Sequence, residues 1–143
     1  MFLIKSAPDR QFVKHMNKAA QIIFCCLLTT AGVFAQDVPE WSPSEISKKL
    51  KANPTAVILD VRTPEEFAED HLARAINIDV NSPDFEKQSA KLDKKKPVYV
   101  YCLGGVRSKK AAGILKRNGY QAVSMSGGIK AWKSAGLPVT KGN

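Results

Sequence analysis

The chain has 143 residues, 44% of them apolar, with 22 Lys+Arg against 13 Asp+Glu and a formal net charge of +9 at pH 7. Internal repeats and low-complexity segments are absent, so the composition is that of a globular chain. The basic clusters Lys94-Lys95-Lys96, Lys109-Lys110 and Lys116-Arg117 are not interleaved with aromatic residues and fit no nucleic-acid module, which excludes nucleic acid as an expected partner and leaves most of these side chains as a solvated face.

In chain order, Lys14 and Lys18 precede an apolar stretch from Ala19 to Ala35 that closes with Val33 and Ala35 at cleavage-type spacing. That is the pattern of a secretory leader. A membrane span would want about 20 predominantly apolar residues, and this stretch is short and broken by Gln21, Thr29 and Thr30. Lipid attachment does not fit, because Phe24 before Cys25 and Cys25 before Cys26 are not small residues. The expectation is a leader over 1–35, with Met16 as a possible alternative start, export to the periplasm if the source is Gram-negative, and contact with the membrane only through that leader. The domain then runs over 36–143, 108 residues with 18 Lys+Arg against 12 Asp+Glu, enough for one core.

Within it, Ser42-Pro43-Ser44-Glu45 and Thr63-Pro64-Glu65-Glu66 each place an N-cap hydroxyl, a proline at the first helical position and a Glu three residues after the cap. Two helices are predicted to start there. Between them 56–61 is a nearly continuous apolar run, the look of a strand buried on both faces of a parallel sheet. The stretches 75–78, 98–101 and 121–125 read the same way. Ser82-Pro83-Asp84-Phe85 predicts a further helix start, and 108–116 a helix that Asn118-Gly119 ends with left-handed-capable residues. Alternation of strands and helices predicts a three-layer α/β domain with a mainly parallel sheet. Ligands of such sheets bind beyond the carboxyl ends of the strands, where Asp60 and Cys102 would sit.

Cys102 stands out. With Cys25 and Cys26 in the leader, it is the lone cysteine of the domain, so no internal disulfide is open to it. The bland reading is a small buried hydrophobe. However, Cys102-Leu103-Gly104-Gly105-Val106-Arg107-Ser108 follows a strand and precedes a helix, and such a glycine-rich turn aims successive N–H groups inward while the helix adds the positive end of its dipole. A helix N-terminus and a nearby cation such as Arg107 favour the thiolate. Lys109-Lys110 would draw small anions toward the loop.

Four motifs together resemble the single-domain rhodaneses: Leu59-Asp60-Val61-Arg62-Thr63-Pro64-Glu65-Glu66-Phe67, the turn from His71 to Ile78, the loop from Cys102 to Ser108, and Gly127-Gly128-Ile129-Lys130-Ala131-Trp132 with Gly136-Leu137-Pro138-Val139. The exported form is similar to the phage-shock type of that family. The resemblance implies a rhodanese-like fold with a five-stranded sheet and thiosulfate sulfurtransferase activity, with Cys102 as the persulfide-forming cysteine. It implies an anion-binding loop of Leu103, Gly104, Gly105, Val106 and Arg107, supported by Ser108, Asp60 and Arg62. Donors would be small sulfur anions such as thiosulfate, and acceptors cyanide, thiols or a protein sulfur acceptor. No metal or organic cofactor is required. Asp70, and Ala73-Arg74, depart from the family's usual glycine and proline-glycine.

Two other classes share the fold. Cysteine-based phosphatases and arsenate reductases place five residues between cysteine and arginine, and usually a histidine before the cysteine; here four residues intervene and Tyr101 precedes. Non-catalytic modules typically lack the cysteine. His71, the only histidine of the domain, reads as a structural residue, as do Asp60 and Arg62 at the sheet edge; Trp132 reads as a core anchor and Trp41 as a lid over the first helix.

Overall fold

A computed structural model of the chain describes residues 37–142; the expected leader lies outside the described residues. The described elements run in the order β1 (Glu40–Trp41), α1 (Pro43–Ala52), β2 (Val57–Asp60), α2 (Pro64–Glu69), β3 (Asp70–His71), β4 (Ile76–Asn77), α3 (Phe85–Ser89), β5 (Val98–Tyr101), α4 (Val106–Arg117), β6 (Ala122–Met125), α5 (Gly128–Ser134) and β7 (Thr140–Lys141). Both capping boxes form: Ser42 with Glu45 opens α1, and Thr63 with Glu66 opens α2, each satisfying helix-end N–H groups that would otherwise lack partners.

The main sheet has five strands in the order β1-β6-β5-β2-β4, and every pairing in it is parallel. Central strand β5 shows why a continuous apolar run belongs here. Val98 and Val100 point into one core with Leu59, Ala111, Ala112 and Leu115, while Tyr99 and Tyr101 point into another with Ile46, Ile58, Ile129 and Trp132. Helices α3 and α4 therefore cover one face and α1 and α5 the other, giving the three layers that the sequence implies.

Several boundaries differ from the sequence reading. Strand β1 was not foreseen; its two residues pair at Glu40↔Ser124 and Trp41↔Met125, and so short a segment carries no periodicity. Trp41 lies tilted against Tyr99, with Lys49 of α1 over its ring. The predicted strand 75–78 is regular only at Ile76–Asn77. The helix expected from Ser82 begins at Phe85, because Ser82 is used in a turn: its carbonyl accepts from Phe85 N–H and its hydroxyl from Asp84 N–H. Helix α4 starts two residues earlier than predicted, directly on the cysteine loop.

Candidate active site around Cys102

The sheet delivers two strand ends to one edge. Asp60 closes β2 opposite Tyr101, which closes β5, and Cys102 follows immediately. Cys102 is 1% exposed. Its Sγ accepts a hydrogen bond from the N–H of Gly105 at 3.0 Å and lies 3.6 Å from the hydroxyl of Ser108. Gly105 has φ +108°, and a Cβ there would come within 3.1 Å of the Gly127 nitrogen, so the turn is built for glycine. The N–H groups of Val106 and Arg107, in the first turn of α4, donate to no backbone carbonyl among the described residues and can serve an anion, while that of Ser108 is turned to the Cys102 sulfur.

Burial on its own would raise the thiol's pKa. Hydrogen bonds from Ser108, through both backbone and hydroxyl, and from the N–H groups of Gly105 and Gly104 outweigh it and hold the pKa below its usual value. The loop's own donors therefore account for the shift. Arg107, foreseen as the neighbouring cation, is already engaged: it makes a two-pronged ion pair with Glu66, Nη1–Oε2 2.7 Å and Nη2–Oε1 2.8 Å. That pair holds the Glu66 carboxyl down at about 2. Likewise Lys109 pairs with Glu40 at 2.5 Å, which offsets part of the positive potential read from Lys109-Lys110.

From beneath, the loop is held by the segment after β6. Ile129 N–H donates to the Cys102 carbonyl at 2.8 Å and Lys130 N–H to that of Leu103 at 3.2 Å. Gly128, at φ +59°, permits this approach, since a Cβ there would stand 2.4 Å from the Cys102 carbonyl oxygen. Ser124 of β6, fully buried, shares a 2.9 Å hydrogen bond with Ser108, whose hydroxyl also donates to the Gly105 carbonyl. The outer rim is apolar: Leu103 is 37% and Val106 84% exposed.

Asp60 and Arg62 hold each other. Arg62 donates from Nε and Nη2 to the fully buried Asp60 carboxylate and from Nη2 to the Asp70 carbonyl, and Asn77 caps the carbonyls of both residues. A buried pair with its polar atoms satisfied orders the β2 edge. His71 stacks on the Phe67 ring and shares a hydrogen bond with the Phe67 carbonyl, so its contacts are structural. Trp132 is buried with its indole N–H on the Pro138 carbonyl.

Glu66, Ser124 and Gly128 were not singled out as site residues from sequence. Glu66 already had a sufficient explanation as a helix cap, and Ser124 is one small residue in an apolar strand. Only Gly127-Gly128 left a trace, as a motif without a stated role.

Residues 42–135 match the family model of the rhodanese-like domain. Over 79 residues the chain is 38% identical to the thiosulfate sulfurtransferase GlpE of Coxiella burnetii, covering 54% of this chain and 72% of that protein. Over 103 residues it is 29% identical to a sulfurtransferase of Allochromatium vinosum, covering 71% and 94%. A rhodanese-related protein from Thermoplasma volcanium superposes with a TM-score of 0.65 at 29% identity, over 71% of this chain and 97% of that one. With the cysteine loop, the all-parallel main sheet and the family match in agreement, the chain belongs to the rhodanese family.

Proposed function

We propose that the protein is a sulfurtransferase that moves sulfane sulfur from thiosulfate or a related small donor to a thiophilic acceptor, cyanide or a thiol, through a persulfide on Cys102. The observation that carries this reading is the polar surround of Sγ: the Gly105 N–H donates to it at 3.0 Å and the Ser108 hydroxyl lies 3.6 Å away, with the N–H groups of Gly104 and Ser108 adding to the same pull on the thiol. Donors so placed favour the thiolate and would equally hold a second sulfur bearing negative charge.

The exchange takes two steps. The Cys102 thiolate pair attacks the outer sulfur of thiosulfate; the donor's S–S bond breaks and its electron pair leaves with sulfite. An acceptor nucleophile then attacks the outer sulfur of the persulfide, and Sγ recovers its pair as thiolate. No net oxidant or reductant is needed. The N–H groups from Leu103 to Arg107 would steady the developing charge, with glycines at 104 and 105 allowing the backbone to approach. Support for the reading also comes from the relatives named sulfurtransferases. We further propose that the domain acts after export, on the strength of the leader-like pattern over 1–35.

Incubation of the purified protein with thiosulfate, followed by intact-mass and peptide analysis, should show a gain of one sulfur atom on Cys102. Cys102→Ser should keep its thermal transition yet form no thiocyanate from thiosulfate and cyanide. Undiminished thiocyanate formation by that variant would end the persulfide reading.

A further inference from the structure

Arg107 would be the natural partner for the oxygens of a divalent donor, yet both of its Nη atoms are held by Glu66. Each side chain is 26% exposed, so the pair lies at the surface of the cradle rather than in the core. Glu66 is anchored there twice, since its carboxylate also accepts the Thr63 N–H at 3.1 Å and cannot swing away without opening the α2 cap. A neutral ion pair leaves the cradle with the partial charges of its N–H groups and of the α4 N-terminus, equivalent to about half an elementary charge. Around the exposed Gly104 the rim is formed by Leu103 and Val106, which suit a carbon substituent better than a third oxygen.

We propose that Glu66 is a specificity-determining residue, which by occupying the Arg107 fork tunes the cradle to singly charged, carbon-bearing sulfane donors such as organic thiosulfonates and persulfides in preference to doubly charged thiosulfate. This rests on the Cys102 persulfide reading. The chemistry at sulfur is the same for both donor types. With methanethiosulfonate, the thiolate attacks the terminal sulfur, the S–S bond breaks and the pair departs on methanesulfinate; with thiosulfate it departs on sulfite. One unit of charge and one methyl group distinguish the two.

The test compares kcat/KM for sodium thiosulfate and sodium methanethiosulfonate at fixed ionic strength, with cyanide as acceptor. Glu66→Gln retains an acceptor for Thr63 N–H and removes the charge. Its thiosulfate value should rise about threefold or more while the methanethiosulfonate value stays within about twofold, because only the doubly charged donor gains strongly from the freed cation. Arg107→Gln should move the ratio the other way by leaving Glu66 uncompensated, and it carries the test if Glu66→Gln does not fold. A ratio unchanged in folded Glu66→Gln, or a lower thiosulfate value in it, overturns the proposal. So does an unchanged ratio in Arg107→Gln. Failure of both donors to load Cys102 in the wild type is a separate result, seen by mass, and removes the persulfide reading beneath it.

Discussion

The hydroxyl of Ser108 has one hydrogen and three neighbours: Cys102 Sγ at 3.6 Å, the Gly105 carbonyl at 2.9 Å and Ser124 Oγ at 2.9 Å. While Cys102 is a thiol, Ser108 donates to Gly105 and accepts from S–H. Once the thiolate forms, the same hydroxyl serves best by turning toward sulfur, with Ser124 donating to its oxygen. Ser124→Ala removes that second support from a fully buried site. The expected outcome is a thiol that ionises at higher pH, read as an upward-shifted midpoint in the rate of iodoacetamide alkylation against pH, with a stability loss of about 1 kcal/mol in denaturant titration. At this scale the sequence was uneven. Cys102, Gly105 and Ser108 could be read because a strand, a glycine turn and a helix start meet there. The pairing of Arg107 with Glu66 could not, since the partners are far apart in sequence and nothing in either segment encodes their meeting.

Among the described helices, α2 alone has no buried residue. Burial therefore does not hold it, and polar contacts must: the Thr63–Glu66 capping box, the Glu66–Arg107 bridge to α4, and the β3–β7 ladder just after it, where Asp70↔Lys141 and His71↔Thr140 pair antiparallel. Glu66 serves two of the three. Its carboxyl is shifted from 4.5 down to about 2, chiefly by the Arg107 hydrogen bonds. A depressed carboxyl contributes stability above its unfolded pKa and loses it as the pH falls through the folded one, so this contribution is present above about pH 4.5 and gone toward pH 2. Thermal midpoints followed by circular dichroism should thus fall more steeply across that window in the wild type than in Glu66→Gln. The turn after β3 holds the one non-glycine residue with positive φ among the described residues, Arg74 at +64°, in the Ala73-Arg74 step that departs from the family's proline-glycine. Its guanidinium donates to the Pro54 carbonyl. The capping motifs of α1 and α2 were legible because their chemistry is local. β3 and β7 were not, because two-residue strands exist only through the partner that pairs with them.

For the whole molecule, the parallel sheet could be inferred from the apolar runs of β2, β5 and β6, which need cover on both faces. The position of β1 at the edge beside β6 could not, since it depends on a pairing across most of the domain. The expected cleavage after Ala35 belongs to this scale as well. N-terminal sequencing of the protein recovered from the exported fraction should begin at Gln36, and recovery of that soluble fraction with Lys18 still attached would count against export by a cleaved leader. The order of the segments along the chain has a bearing on the thiol. Ser124, Gly128 and the N–H of Ile129, which brace the cysteine loop from below, all lie C-terminal to Cys102, and β1 pairs with β6. In a chain not yet folded through β6 and α5, the donors of Gly104, Gly105 and Ser108 are therefore present but not held on Sγ. In that state the sulfur is an ordinary thiol, largely protonated at neutral pH and slow toward oxidants. Nucleophilicity thus depends on the segment after β6 having packed beneath the loop, and a chain truncated before that segment carries a cysteine that is comparatively inert.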